Sequence, residues 1–222
     1  MKFRKIEGLQ DVCPERIEGT DEWYCCKIAK NCFCDLYEAE EIVKSGQVYE
    51  GMTCVLIHYP DRNVYYPFVE KENVYVDAPV YWDGTLYFLV VDFTEEKIEI
   101  VAFDTTLYEI QTVVEFPLRI VEDTYNLILR VAPVLLVKYN NQLEDDENKS
   151  GFDVIYPEKK HFEISNHESF MFKDEEKMYF SEWLEDPEYR EMVVVRDWNT
   201  GKEVERFDGQ LWRMPNGEVW VM

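Results

Sequence analysis

A two-part phrase of strand-forming residues recurs along this chain. The first part is a pair of apolar runs closed by a tight turn, as in Tyr81–Phe88, where Asp83 and Gly84 make the turn. The second part is a further apolar pair with its own turn, as in Ile98–Thr106. Each unit therefore holds four short strands in roughly forty to fifty residues. Since Tyr, Phe, Val and Ile favour strands over helices, the phrase predicts an all-β repeat architecture.

The turns of this phrase can be located along the sequence. The first part, the inner hairpin, occurs five times, and Asp-Gly or Asn-Gly turns are strong hairpin signals because these residues accept a positive φ at low cost. The inner turns are Lys30-Asn31, Asp83-Gly84, Ala132-Pro133, Asp174-Glu175 and Asn216-Gly217. The second part, the outer hairpin, occurs four times, with turn centres about 44, 53 and 42 residues apart. The outer turns are Tyr59–Arg62, Asp104–Thr106, Tyr156–Lys159 and Asp197–Lys202. The long interval contains a polar insertion, Asn140–Ser150, and becomes nearly regular without it.

Repeat length and strand count together predict the fold. Five units of about 44 residues account for the 222 residues, and four-stranded units of this size are typical of β-propeller blades. We therefore predict an all-β, five-bladed β-propeller that forms one domain over residues 1–222, with another all-β repeat or a two-sheet architecture as the alternative. Because the fifth outer hairpin is missing, we expect strands from Phe3–Asp11 to close the ring beside the C-terminal hairpin. The best helical signal is Leu36–Lys44, which ends at Ser45-Gly46.

Two of the units carry phrases that resemble known repeats. The segment Asp197–Lys202 is similar to the D-x-x-T-G-K turn of several propeller families, and Tyr81–Phe88 resembles the x-D-G-x-L-Y hairpin of kelch-like repeats. The Gly-His mark of WD40 repeats and the paired glycines of kelch repeats are absent from the sequence. The resemblance implies a β-propeller architecture and no particular family. Because propellers bind proteins, sugars and metals and also catalyse reactions, it selects no function.

The charge of the chain restricts its partners. Its formal net charge is -23, from 46 acidic and 23 basic residues. Such a chain repels the phosphate backbone of nucleic acids and anionic membranes, so we expect neither as a partner. A protein or small ligand with basic character fits the charge better. Acidity of this kind also keeps an aromatic-rich surface in solution without any partner.

The N-terminal sequence and the cysteines predict a cytoplasmic protein. The segment Met1–Gly8 lacks the apolar core of a secretory signal, and no apolar run in the sequence is long enough to cross a membrane. All six cysteines lie in the first quarter of the chain, and we expect them to be reduced.

Cys25, Cys32 and Cys34 could meet on a hairpin as thiolate ligands of zinc. Their spacing departs from C-x-x-C zinc knuckles, so we favour thiols packed as small apolar side chains and predict no cofactor.

Three long connections between the second and third strands of a blade are expected to share one face of the fold. They are Asp35–Gly51, Asn140–Gly151 and Glu182–Arg190, and all are rich in carboxylates. Repeat proteins often bind partners where insertions accumulate. We therefore predict a non-catalytic module that binds a ligand or a protein through an acidic, aromatic loop face, with plain solvated loops as the alternative. The residues predicted to bind are Trp183, Glu182, Asp186 and Trp82.

Two other functions fit the sequence. Asp35, Asp92 and Glu182 each follow an inner-hairpin strand, and two carboxylates about 5 to 10 Å apart can cleave a glycosidic bond. A carbohydrate hydrolase with these residues around a central funnel is the first alternative. An acidic inhibitor of the immunity type, which blocks a basic surface, is the second. Motifs for a serine or cysteine nucleophile and for a phosphate-binding loop are absent from the sequence, so we favour binding over catalysis.

Overall fold

Strands make up most of the regular structure, and a single α-helix accompanies them in the described part of the chain, so the prediction of an all-β chain is confirmed. The structure is a computed structural model that describes residues 5–7, 9, 12–29, 34–131, 133–143, 146–214 and 216–222, with the backbone alone for 141–143 and 146–147. Within these residues no helix has the length and apolar character needed to span a bilayer. The chain divides into two compact units, unit 1 at Met1–Thr124 and unit 2 at Tyr125–Met222. The prediction that the whole chain forms one domain stays a prediction.

Unit 1 is built around one nine-stranded sheet and one helix. Its strands are β1 Glu15–Arg16, β2 Trp23–Ala29, β3 Met52–His58, β4 Val64–Tyr65, β5 Val74–Val76, β6 Val80–Trp82, β7 Thr85–Asp92, β8 Lys97–Asp104 and β9 Ile110–Pro117; the helix is α1, Leu36–Lys44, and a 3-10 turn spans Leu118–Ile120. The sheet order is β1-β2-β3-β5-β7-β8-β9, with β4 beside β3 and β6 beside β7. The described pairs are antiparallel except β3 and β5, which are joined by one parallel pair between Met52 and Tyr75.

The core of unit 1 follows from alternation along its central strand. Leu86, Phe88 and Val90 of β7 project to the same face because side chains alternate along a strand, and they pack in one cluster with Trp23 and Phe103. The rings of Trp23 and Phe103 meet edge to face at 5.8 Å. The last five residues of β7 are all buried. A strand buried on both faces belongs inside its sheet, and β7 lies between β5 and β8.

Unit 2 contains two four-stranded sheets and a hairpin. Its strands are β10 Leu127–Arg130, β11 Leu135–Leu143, β12 Asp146–Tyr156, β13 Lys160–Ser165, β14 Glu168–Lys173, β15 Lys177–Leu184, β16 Arg190–Asp197, β17 Glu203–Asp208, β18 Leu211–Arg213 and β19 Val219–Val221. Strands β10 to β13 form the first antiparallel sheet in chain order, β14 to β17 form the second, and β18 and β19 form the hairpin. Four antiparallel strands in chain order are the strand content of one propeller blade.

An aromatic core joins the two sheets of unit 2. Phe152 of β12 stacks on Phe170 of β14 at 5.3 Å and meets Phe180 of β15 edge-on at 5.4 Å. All three side chains are fully buried. At the edge of this core the indole N–H of Trp198 donates to Glu158 at 3.0 Å. The apolar faces of both sheets are thus buried against each other, and a polar contact lies at the edge of this core.

Most predicted turns lie where the sequence places them. The four outer turns each connect two strands, as do the inner turns at Asp83-Gly84, Asp174-Glu175 and Asn216-Gly217. Asp83 and Gly84 have φ values of 47° and 80°, which a two-residue type I′ turn requires. The turn at Lys30-Asn31 lies outside the described residues, and so does Ala132. The predicted helix at 36–44 is confirmed.

The interval Asn140–Gly151 is mostly strand and not the long loop that its polar composition predicted. Strands β11 and β12 extend into it and pair Gln142 with Ser150 and Leu143 with Asp146; residues 144 and 145 lie outside the described residues. Hydrogen bonds between the two arms of a hairpin join backbone groups, so they continue where the side chains are polar. Polar composition alone therefore does not mark the end of a strand.

Blade count and ring closure are not confirmed and stay predictions. Among the described residues, no third strand pairs with the hairpin of β18 and β19. Ile6 and Leu9, from the segment expected to close the ring, pack against a cluster of unit 1 that contains Cys26. Phe3 and Asp11 lie outside the described residues.

Candidate functional site

Unit 2 contains a pocket of about 490 Å³, where the end of the first sheet meets the turn between β13 and β14. This volume lies within the range of roughly 300 to 1,000 Å³ that is usual for small-ligand sites. Much of its lining is uncharged and polar. Amide and hydroxyl groups come from Asn126, Asn140, Ser150, Ser165, Asn166 and Ser169. Such a lining can exchange hydrogen bonds with hydroxyl or carbonyl groups of a ligand.

A stacked aromatic pair lines the pocket. Trp183, near the end of β15, lies against His167 in the turn between β13 and β14, with ring centroids 4.2 Å apart and ring planes 12° apart. Trp183 is 40% exposed, so part of its surface is open to solvent. Because His167 fixes the ring from one side, Trp183 offers a preorganised surface on which a ligand can stack.

A buried carboxylate also lines the pocket, and its hydrogen bonds are already taken. The side chain of Glu168, the first residue of β14, is fully buried. One oxygen accepts from Arg196 Nε at 2.7 Å, and the other accepts from Arg196 Nη2 and from the backbone amide of Ser165. This two-armed pairing neutralises the charge and holds the carboxylate in place. Glu168 therefore forms part of the pocket wall, and its oxygens are already occupied and are not free to accept hydrogen bonds from a ligand.

Tyr139 and Arg130 form a second fixed pair in the lining. The phenol oxygen of Tyr139 in β11 accepts a hydrogen bond from the backbone amide of Phe170 in β14 at 2.6 Å, which joins the two sheets beside the pocket. Burial raises the pKa of Tyr139, while the Arg130 guanidinium and this amide, which both favour the phenolate, act in the opposite direction. Arg130 Nε is buried and has no hydrogen-bond partner among the described residues.

A chain of three polar side chains sets the orientation of Asn140. Its amide nitrogen donates to one oxygen of Asp153 at 2.5 Å, and the other oxygen lies 2.6 Å from Nδ1 of His161. Asp153 and His161 face each other in the ladder between β12 and β13. Gly151 makes room for this chain, since a Cβ there would lie 3.1 Å from the Asn140 amide nitrogen and 3.2 Å from the His161 ring. The contact holds Asn140 beside the pocket.

Of the four residues predicted to bind a ligand, Trp183 lines the pocket. Its neighbour Glu182 is buried and forms an ion pair with Arg206, so its carboxylate is engaged within unit 2. Asp186 is exposed in the connection between β15 and β16, and Trp82 lies on β6 of unit 1. The prediction that all four bind a ligand stays a prediction.

The three predicted catalytic carboxylates each have a local structural contact. Asp35 caps α1: it accepts from the Glu38 amide at 2.8 Å, and the Glu38 side chain accepts from the Asp35 amide at 3.0 Å. Asp92 ends β7 and pairs with Lys71 at 2.6 Å. Burial alone would raise the pKa of Asp92, but hydrogen bonds from Lys71 and from two turn amides outweigh it and lower the pKa. Glu182 belongs to unit 2, so the hydrolase interpretation stays a prediction.

The described cysteines behave as core or surface thiols. Among the described residues no group of three His, Cys, Asp or Glu is arranged to hold a metal, and Cys32 lies outside them. Cys25 and Cys54 are both buried, and the hydrogen bond that the Cys54 thiol donates to Cys25, together with burial, raises the pKa of Cys54. Burial also raises the pKa of Cys26 to about 11. Cys34 is half-buried.

Sequence reasoning missed the residues that give the pocket its charge and shape. Arg130, Tyr139, His167 and Glu168 lie on different strands and turns, and each fits an ordinary strand or turn pattern when read alone. One signal was available at Glu168. A carboxylate at the start of an apolar strand must either reach solvent or find a buried cation, and Arg196 stands in a similarly apolar strand.

Comparison with known proteins gives little further information. No protein-family model matches the chain, and no curated protein matches it. Among solved structures, the chain is similar to the β-propeller domain of the Trilobed protease from Pyrococcus furiosus, which is described as having an open velcro topology. The identity is 15%, the match covers 91% of this chain and 60% of that chain, and the TM-score is 0.47. At this identity and TM-score the likeness supports no inference about the function of this chain.

Proposed function

We propose that this chain is a non-catalytic binding module and that the pocket of unit 2 binds a small, hydroxyl-rich ligand such as a saccharide. The observation that carries the proposal is the partly exposed Trp183, stacked on His167 beside a polar pocket. A sugar ring presents an apolar C–H face and a rim of hydroxyl groups. An indole surface suits the first, and amide and hydroxyl side chains suit the second.

The charge state of the lining favours binding over hydrolysis at this pocket. Cleavage of a glycosidic bond requires two carboxylates on either side of the bond. Glu168 is the one carboxylate among the described lining residues, and Arg196 holds both of its oxygens. A carboxylate engaged in this way is a poor proton donor or nucleophile. Binding without turnover is therefore the function that the pocket supports best.

The predicted basic partner does not fit the pocket itself. That prediction came from the net charge of -23, whereas the lining residues that the structure describes include one arginine and one carboxylate, which is neutralised. A basic ligand would gain no excess negative charge there. A basic protein partner, and with it the inhibitor interpretation, stays a prediction for the remaining surface, as does the cytoplasmic location.

The proposal is tested by comparing Trp183→Ala with Trp212→Ala. Both tryptophans lie in unit 2 and both are exposed, but Trp212, on β18, is not among the lining residues. Binding of mono- and disaccharides is measured by ligand-observed NMR. We expect Trp183→Ala to weaken binding about tenfold, a loss of about 1.4 kcal/mol, and Trp212→Ala to leave it within about twofold. Equal losses in the two variants, or no saccharide bound by the native chain, would overturn the proposal.

For the architecture we propose the five-bladed, closed propeller predicted from the repeat. Support comes from the repeat spacing and from the two meanders of unit 2, each of which has the strand content of a blade. Removal of residues 1–11 should then speed amide exchange in β19, because its neighbouring strand is lost. Unchanged exchange in β19 would contradict closure by the N-terminal segment.

A further inference from the structure

The charges in the unit 2 pocket do not balance. Glu168 is the one carboxylate among the lining residues that the structure describes, and Arg196 neutralises it with two hydrogen bonds. Arg130 carries a positive charge, and the contact that fixes it is with the uncharged phenol of Tyr139. Its Nε is buried and has no hydrogen-bond partner among the described residues. Among the described lining residues, Arg130 is therefore the one cation without a carboxylate partner, in a chain whose net charge is -23.

Arg130 is half-buried and lines the pocket, so part of its side chain is open to a ligand although its Nε is closed to solvent. Arginine presents its donors in a planar fork that matches the two oxygens of a carboxylate. Arg130 can thus bind an anionic group of a ligand whose ring stacks on Trp183.

We propose that the pocket selects an acidic saccharide, that is, a sugar that carries a carboxylate, and that Arg130 binds this carboxylate. The inference rests on the proposed function and adds the charge of the ligand to it. A single arginine matches the single negative charge of a carboxylate. A phosphate brings nearly two charges into a strongly acidic chain, and the described lining residues include no second lysine or arginine. A carboxylate is therefore the favoured anion.

The test measures the affinity of the native chain for pairs of sugars that differ only in charge. Glucuronate is compared with glucose, and galacturonate with galactose, at 0.15 M salt, where charges more than about 8 Å away are largely screened. We expect each acid to bind about tenfold or more tightly than its neutral parent, as a charge-assisted hydrogen bond implies. Glucose 6-phosphate is included as a second anion and is expected to bind more weakly than glucuronate.

Three variants connect this preference with Arg130. Arg130→Gln should reduce the ratio of acid to neutral affinity to about one, and the amide NMR spectrum of the variant reports separately whether it remains folded. Arg130→Lys keeps the charge but loses the fork, so it should keep part of the ratio. Arg190→Gln, at an exposed arginine of unit 2 outside the lining, should keep the native ratio.

The outcomes separate this inference from the function on which it rests. Neutral sugars that bind as well as their acids, or an equal loss of both in Arg130→Gln, would overturn the acidic ligand and leave saccharide binding intact. Tighter binding of glucose 6-phosphate than of glucuronate would also overturn it. Failure of every sugar to bind the native chain would overturn both proposals.

Discussion

The two units treat their buried carboxylates differently. In unit 1, Asp92 and Glu40 are buried, but the lysines paired with them, Lys71 and Lys44, have side chains 56% and 51% exposed. In unit 2, Glu168 pairs with Arg196, whose side chain is 13% exposed. Unit 1 therefore leaves its cations in water, whereas unit 2 takes the cation of this pair out of water together with the carboxylate.

The positions of the carboxylates explain the difference. Asp92 accepts two backbone amides of the turn after β7, and Glu40 of α1 accepts the amide and the hydroxyl of Thr124. Neutral donors of the chain, namely backbone amides and the Thr124 hydroxyl, thus provide part of the hydrogen bonds that these two carboxylates accept. Glu168 and Glu182 instead face each other across β14 and β15. Two like charges at facing positions repel each other, so each needs its own arginine.

Desolvating ion pairs of this kind rarely adds stability compared with an apolar core of the same volume. Unit 2 nevertheless buries Glu168 at the wall of the pocket, beside Tyr139 and Arg130. Departures from the most stable arrangement are expected at functional sites. The contrast between the units therefore agrees with a pocket in unit 2 that is kept for binding.

The largest expected effect is that of Glu168→Gln. The substitution leaves Arg196 buried without its counter-charge, so we expect the free energy of unfolding to fall by about 3 to 5 kcal/mol. Urea unfolding measures the change. The matched control is Glu163→Gln, also in unit 2, where the ion pair with Lys149 is exposed and a loss below about 1 kcal/mol is expected. If Glu168→Gln lowered the free energy of unfolding only slightly, the buried ion pair of unit 2 would not differ in energetic importance from the ion pairs of unit 1.

A smaller effect is expected for Glu40→Gln in unit 1. The glutamine oxygen can still accept the hydrogen bonds of Thr124, and Lys44 stays hydrated when its partner loses the charge. We expect the free energy of unfolding to fall by about 1 to 2 kcal/mol, again measured with urea. If Glu40→Gln lost as much unfolding free energy as Glu168→Gln, the exposure of the paired cation would not explain how much each substitution destabilises the protein.

Asp92→Asn tests the same contrast through pH. The folded-state pKa of Asp92 is lowered, so its ionised form stabilises the folded state above the unfolded pKa near 3.9, and this stability is lost as pH falls through the folded pKa. We expect native chain and variant to differ by on the order of 1 kcal/mol at pH 6 and to converge as pH falls through the folded-state pKa of Asp92. Unfolding at several pH values measures the gap. The control Asp186→Asn, at an exposed carboxylate, should have the same free energy of unfolding as the native chain. A difference between Asp92→Asn and the native chain that grew toward low pH would contradict the predicted direction of the pH dependence.

The smallest effect concerns the thiols of unit 1. Since unit 2 has no cysteine, alkylation followed by mass spectrometry reports on unit 1 alone. Exposed Cys13 should react with iodoacetamide at pH 7.5, while Cys26, which is buried and has its pKa raised to about 11, should react only after unfolding. Equal rates at both cysteines would show that the core of unit 1 opens readily.

The parts of the structure that depend on near neighbours in sequence could be predicted. Asp83-Gly84 makes its turn because both residues accept positive φ, and Asp35 begins α1 because its side chain and that of Glu38 reach each other's backbone amide. The pocket depends on contacts between residues far apart in sequence. Tyr139 meets Phe170 only when the two sheets pack. Neither hydrophobic pattern nor turn chemistry encodes that pairing.

The Trp183 indole N–H signal in a nitrogen-15 spectrum, followed during titration with galacturonate and assigned with Trp183→Ala, tests ligand binding at the unit 2 pocket. The chain has six tryptophans, so the other five serve as internal controls. We predict a saturable shift of the Trp183 signal, with the signals of Trp82 and Trp212 unmoved. A shift confined to other tryptophans, or no saturable shift at any of them, would contradict binding at this pocket.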